Sequence, residues 1–350
     1  MMHSLPKLNY IVPNGLEEAL TLLDKYKEMA RVKAGGTDLV PNLKNRLFEV
    51  EHIVDINGID ELRYIRQDED GSLRIGALTT LTSLETSPLV REKVPLLSET
   101  AGEVASPQIR NVGTVGGNIC LDTRCWYYNQ SHYWQKARPV CMKLEGHICY
   151  IAKASRACYA LFSSDVGTCL VALGASIKIA SPKGEEVVAI GDFYTGDGLK
   201  QNILEPDEVV TEVIVPHQPS NTVSTYLKYR VRDSIDFPLL SVALILTLEP
   251  GSGLIRDTRV VLGAALSGPF VASNTQAFLR GKRIDDEVVE EAGRLAYKET
   301  KVVSSSIISG AQRKDMVRVL VKQALCQACS TVNYSSKGME VDIDETVDRA

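Results

Sequence analysis

The sequence predicts an α+β protein of two or three packed domains, and three patterns carry that reading. A strand–helix–strand pattern ends near Ile56, short alternating strands occupy the middle, and two apolar runs followed by three helical patterns fill the last third. With 350 residues, 44% of them apolar and 24% charged, the chain has globular composition and length for more than one core.

The first helix is expected from Leu16, Ala19, Leu20 and Leu23, which share one face, with Asn14 as cap and Glu17 three residues later. A short strand near Tyr10 should precede it. Arg31 to Leu39 reads as a strand entering a glycine turn and then a helix, and Ile53 to Ile56 closes a β-α-β-like unit. Leu73 to Leu78 is a strand behind the turn Asp70-Gly71, and a helical stretch leads to Gln108–Asn111. Apolar strands are expected over Thr168–Ile179 and Val209–Pro216, and Gln218–Thr222 reads as a linker. Pro238–Leu248 and Arg259–Leu266 suit an antiparallel sheet. Helical patterns then cover Ala272–Leu279, Asp285–Thr300 and Asp315–Ala328.

A net charge of −5 argues against a nucleic-acid partner. The N-terminal residues lack a signal-peptide pattern, and no apolar run approaches the roughly 20 residues that span a bilayer. These features read as a cytoplasmic protein without membrane insertion. In that compartment the eight cysteines point to metal ligands or buried thiols before disulfides.

Two glycine runs could bring backbone N–H groups to a phosphate: Ala34-Gly35-Gly36-Thr37-Asp38 and Gly113-Thr114-Val115-Gly116-Gly117-Asn118. Each alone is as compatible with a tight turn. Neither has the spacing of a P-loop or of the G-x-G-x-x-G dinucleotide fingerprint.

Taken together, in this order and separation, the two runs resemble the flavin-binding subunit of the molybdenum hydroxylase family. The resemblance extends through Leu204–Val209, Tyr226–Arg230, Asp236-Phe237-Pro238 and Arg313–Met316. It implies a two-part FAD-binding domain of the p-cresol methylhydroxylase type, residues 1–57 and 58–217, then a smaller α+β domain over 222–330 and a tail over 331–350. It also implies that Arg31, Val32, Lys33, Ala34, Gly35, Gly36, Thr37 and Asp38 cradle the FAD diphosphate. Gly113, Thr114, Val115, Gly116, Gly117 and Asn118 would meet it from the second part. Ser164 and Asp165 would lie near the adenosine half, Val210 against the flavin, and Lys228 close to the cofactor, against the plainer reading of Lys228 as a surface lysine.

Simple members of that family run almost directly from the Gly-Gly-Asn motif to the Ser-Asp motif, so residues 121–162 are extra. This insertion, with Asp122-Thr-Arg-Cys-Trp-Tyr-Tyr-Asn-Gln-Ser131, resembles that of the family's 4-hydroxybenzoyl-CoA reductase branch. The resemblance implies a [4Fe-4S] cluster held by Cys125, Cys141, Cys149 and Cys158. Cys120 is the rival ligand, placed at the end of a Gly-Gly-Asn strand where a buried thiol is the plain reading. Cys169 reads as core in an apolar strand, Cys326 and Cys329 as helix-face thiols, and His132 and His147 as loop residues. Trp126, Tyr127, Tyr128, Tyr133 and Trp134 should pack the insertion.

The function implied is electron transfer with no catalytic residue on this chain. A large molybdopterin subunit and a small [2Fe-2S] subunit would be partners, as a dimer of heterotrimers, with ferredoxin as donor, in the reductive dehydroxylation of 4-hydroxybenzoyl-CoA. Two rivals stand beside it. One is a hydroxylase flavin subunit passing electrons to NAD or another acceptor, with structural zinc in the insertion; the other makes the insertion chiefly a docking module.

Overall fold

The computed structural model describes residues 4–304 and 307–337. Three sheets organise it, and the order of elements follows from where apolar residues recur.

The first sheet is parallel, in the order β1 (Asn9–Ile11), β3 (His52–Asp55), β2 (Ala30–Lys33). The helix Leu16–Tyr26 crosses between β1 and β2 and buries Ala19, Leu20 and Leu23. Its cap differs from expectation. Gly15 stands at the N-cap, while Asn14 donates from its backbone N and its Nδ2 to Glu18 Oε2 at 2.8 and 2.7 Å. The acidic residue therefore reaches back to Asn14 from Glu18, where the sequence pointed to Glu17.

The second sheet runs β4 (Ile65–Gln67), β5 (Leu73–Gly76), β8 (Val209–Val215), β6 (Ser176–Ser181), β7 (Gly184–Ala189), all antiparallel. The expected strand over Thr168–Ile179 is two elements. Asp165–Ala172 is a helix, Gly174 turns at φ +68°, and only Ser176 onward is strand. An unbroken apolar run fits a buried helix as well as a buried strand, and here both faces of the helix meet protein. Cys169 is accordingly core, as expected, but on a helix.

The third sheet is antiparallel, in the order β12 (Phe270–Val271), β11 (Ile255–Gly263), β10 (Leu240–Leu248), β9 (Thr222–Tyr229). Both of its faces are covered, which is why β10 reads as continuously apolar. Ala243 and Ile245 join the core beneath the second sheet, whereas Val242, Leu244 and Leu246 face the core shared with helices Ser273–Leu279, Asp286–Glu299 and Gly310–Lys337. The last helix runs through residues 331–337, so the expected tail begins inside it, and residues 338–350 lie outside the described part. Among the described residues no helix is long and apolar enough to cross a membrane.

Candidate functional site: a flavin groove beside a cysteine insertion

A groove of about 1110 Å³ opens between the first and second sheets. Ordinary small-molecule pockets span roughly 300–1,000 Å³, so this one suits an extended dinucleotide. All eight residues from Arg31 to Asp38 line it, together with Gly113, Thr114, Gly117, Asn118 and Asp165.

The two glycine runs form the groove by touching each other. A Cβ on Gly35 would fall 2.0 Å from the Val112 carbonyl oxygen, and one on Gly113 would fall 2.9 Å from that of Ile109. Only glycine allows this approach at Gly35, and Gly36 turns the chain at φ +72°. The backbone N–H groups of Gly35, Gly36, Thr37 and Asp38 donate to no other described residue. Four consecutive free amides on a groove wall make a nest for an anion such as a diphosphate.

The second run works differently from the first. Its amides are spent inside the protein: Gly113 on Ile109 O, Val115 on Thr79 O, Gly116 on Ala77 O, Gly117 on Thr114 Oγ1 and Asn118 on Thr114 O. Val115–Ile119 is a short helix capped by Thr114, so Cys120 follows a helix and not a strand. This run contributes small bulk, while Val115 and Gly116 are buried away from the groove.

Ser164 and Asn118 join the parts. The Ser164 hydroxyl caps helix Asp165–Ala172 by accepting from Gly167 N at 2.8 Å and donates to Asn118 Oδ1 at 2.7 Å. Asp165 reaches the groove wall, accepting from Tyr226 Oη at 2.5 Å and Lys228 Nζ at 2.8 Å. Lys228 is not a surface lysine. Its side chain is 1% exposed and also donates to Glu103 O, which places it behind Asp165. Val210 lies in the core of the second sheet and does not line the groove, because its alternation on β8 turns it inward.

Opposite Asp38 the groove wall is built by the insertion. Arg124 pairs with Asp38, and Lys143 Nζ donates to Asp122 Oδ1, Thr123 Oγ1 and Gly198 O at 2.7, 2.7 and 2.6 Å. Both cations line the groove. Sequence reasoning missed them, although each lies within two residues of a cysteine it had singled out.

Cys326 and Cys329 lie on the last helix, as expected, and the other six cysteines divide into two groups. Cys141, Cys149 and Cys158 are buried and Cys125 half-buried, and each of the four lies within electrostatic reach of at least two others. Backbone N–H groups near three of these cysteines work to lower their thiols, Tyr127 and Tyr128 at Cys125, Lys143 and Leu144 at Cys141, and Ala160 at Cys158, although the Tyr128 and Leu144 amides themselves donate to the carbonyl oxygens of Cys125 and Cys141 at 3.1 and 2.9 Å. Burial nevertheless raises these three thiols, Cys158 to about 11. Cys120 and Cys169 lack such company: Cys169 is buried, whereas Cys120 is only half-buried and lines the groove, its thiol pushed up to about 12 by desolvation. Among the described residues, no three Cys, His, Asp or Glu side chains stand in metal-ligating geometry. The four thiols are neighbours, soft donors by their chemistry but not a closed ligand set.

Around them the aromatic residues split. The Arg138 guanidinium sits 3.6 Å from the Trp134 ring centroid, Tyr127 stacks on Tyr150, and Tyr128 is buried with Leu47 and Cys141. Trp126 and Tyr133 do not pack the insertion as expected, being 54% and 84% exposed. His132 and His147 are exposed.

A groove with free amides between the first and second sheets suits a dinucleotide, and comparison with known proteins makes this particular. Residues 6–218 match the family of the FAD binding domain in molybdopterin dehydrogenase, and residues 225–328 match the CO dehydrogenase flavoprotein C-terminal domain. The first match covers more than half of the chain, which therefore belongs to this family as a FAD-binding subunit of a molybdenum-hydroxylase-type oxidoreductase. It is 29% identical to the xanthine dehydrogenase FAD-binding subunit of Escherichia coli O157:H7 over 314 residues, 89% of this chain and 93% of that one. To the carbon monoxide dehydrogenase medium chain of Afipia carboxidovorans it is 28% identical over 320 residues, 91% and 96% of the two chains. The fold superposes on carbon monoxide dehydrogenase from Hydrogenophaga pseudoflava with a TM-score of 0.77 at 27% identity, over 93% of this chain and 99% of that one.

Proposed function

We propose that this flavin subunit holds a second redox cofactor, a [4Fe-4S] cluster bound by Cys125, Cys141, Cys149 and Cys158, and serves a 4-hydroxybenzoyl-CoA-reducing enzyme. The observation that carries the reading is the grouping of these four thiols, apart from Cys120 and Cys169, beside the flavin groove. When bound, FAD and the cluster supply one-electron carriers between a ferredoxin-type donor and a partner iron–sulfur subunit.

The chain's own residues hold and separate these groups. Free amides from Gly35 to Asp38 take the diphosphate, Asp165 and Lys228 stiffen the far wall, and the backbone amides near Cys125, Cys141 and Cys158 work against the burial that raises those thiols. Substrate chemistry takes place on a large molybdopterin subunit, with a small [2Fe-2S] subunit between, in a dimer of heterotrimers.

A second reading is favoured by the xanthine and carbon monoxide dehydrogenase names of the relatives: a hydroxylase flavin subunit passing electrons outward, with a structural metal in the insertion. Metal analysis of the anaerobically purified chain separates the two. Iron and acid-labile sulfide in about 4:4 ratio to FAD supports the cluster; zinc beside FAD rejects it in favour of the second reading, and FAD with no metal rejects both the cluster and the structural metal.

A further inference from the structure

Arg124 is where the insertion meets the flavin site. Its backbone closes the base of the insertion through two hydrogen bonds, Arg124 N to Leu161 O and Leu161 N to Arg124 O, both 2.7 Å. Its guanidinium pairs with Asp38, the last residue of the free-amide nest, and lies 4.6 Å from the Phe237 ring centroid. All three side chains line the groove. Nε of Arg124 is buried with no acceptor among the described residues. A second seam runs alongside, where Tyr128 and Cys141 pack on Leu47, just beyond the helix that Asp38 opens.

This arrangement answers an electrostatic difficulty in the nest. Asp38 puts a carboxylate beside the amides that would hold a diphosphate, and like charges at that range repel. Arg124 cancels that charge, but it comes from the insertion and not from either part of the flavin domain. We infer that Arg124 is a positioning residue that makes the cysteine insertion part of the flavin site, by neutralising Asp38 so that the nest accepts the FAD diphosphate.

The inference rests on the groove being the FAD site, and its test uses the full chain stripped of FAD and titrated with FAD by fluorescence quenching. Arg124→Gln leaves Asp38 uncompensated and should raise the FAD Kd at least about tenfold. Adding Asp38→Asn in the same chain removes the repulsion and should recover most of that loss, a rescue that a merely structural arginine would not show. A wild-type Kd for Arg124→Gln, or no recovery in the double variant, overturns the inference.

Should Arg124→Gln fail to fold, hydrogen exchange of the wild-type chain decides. FAD should slow exchange at the Arg124 and Leu161 amides, and unchanged exchange there overturns the inference. Iron measured on the same samples judges the cluster separately, since a metal-free insertion leaves the FAD comparison intact.

Discussion

Lys228 Nζ lies 2.8 Å from Asp165 Oδ2, with the two side chains 1% and 4% exposed. The pair links β9 of the third sheet to the helix that opens on the flavin groove, and Tyr226 Oη completes it. Removing one member of such a pair strands the other charge in a dry site.

We predict that Lys228→Met destabilises the chain by about 3–5 kcal/mol, the usual cost of a stranded buried charge. Adding Asp165→Asn should return part of it. Urea unfolding measures both, and a loss below about 1 kcal/mol for the single variant would mean that water reaches Asp165.

Gly35→Ala should abolish retention of FAD through gel filtration while the secondary structure survives. A Cβ there meets the Val112 carbonyl at 2.0 Å, so the two glycine runs must part. Unchanged flavin content would show that this approach is not what shapes the site.

Arg313 is wholly buried and donates to three carbonyls, Val303 O at 2.7 Å, Leu239 O at 3.0 Å and Ala264 O, with no carboxylate partner among the described residues. Burial brings its guanidinium down to about 10. Arg313→Met leaves those carbonyls without a donor and should cost about 3 kcal/mol or more, read as a lower urea midpoint at unchanged slope.

Asp55 should be a source of acid sensitivity. Burial works to raise its carboxyl, but Tyr10, Lys33 and the Asn57 amide together hold it below the usual range. A depressed carboxylate adds stability above its unfolded pKa of about 3.9, and that stability is lost as pH falls through the lower folded value. Asp55→Asn should therefore lower Tm at pH 7, and the difference from wild type should shrink below about pH 4. A constant difference down to pH 2 would contradict this assignment.

The legible parts of the molecule were those governed by local rules. The β-α-β unit around Leu16–Tyr26 and the strand Val209–Val215 follow from apolar pattern, although that strand is buried nearly throughout and not on one face alone, and the glycine approach at Gly35 follows from residue type. Thr168–Ile179 was misread because an apolar run does not distinguish a helix buried on both faces from a strand. Lys228 and Arg313 carry charges whose partners lie 63 and 74 residues away, at Asp165 and Leu239, a spacing that no local pattern records. The roles of Arg124 and Lys143 likewise depend on where the insertion folds back.

The most direct test of the two-cofactor account is iron and acid-labile sulfide per FAD across a serine panel of the anaerobically purified chain. The account predicts about four of each in the wild type and in Cys120→Ser and Cys169→Ser. In Cys125→Ser, Cys141→Ser, Cys149→Ser and Cys158→Ser the iron should be lost or sharply reduced. A wild-type chain that carries FAD without iron, or iron that disappears with Cys120 and persists without Cys149, would contradict it.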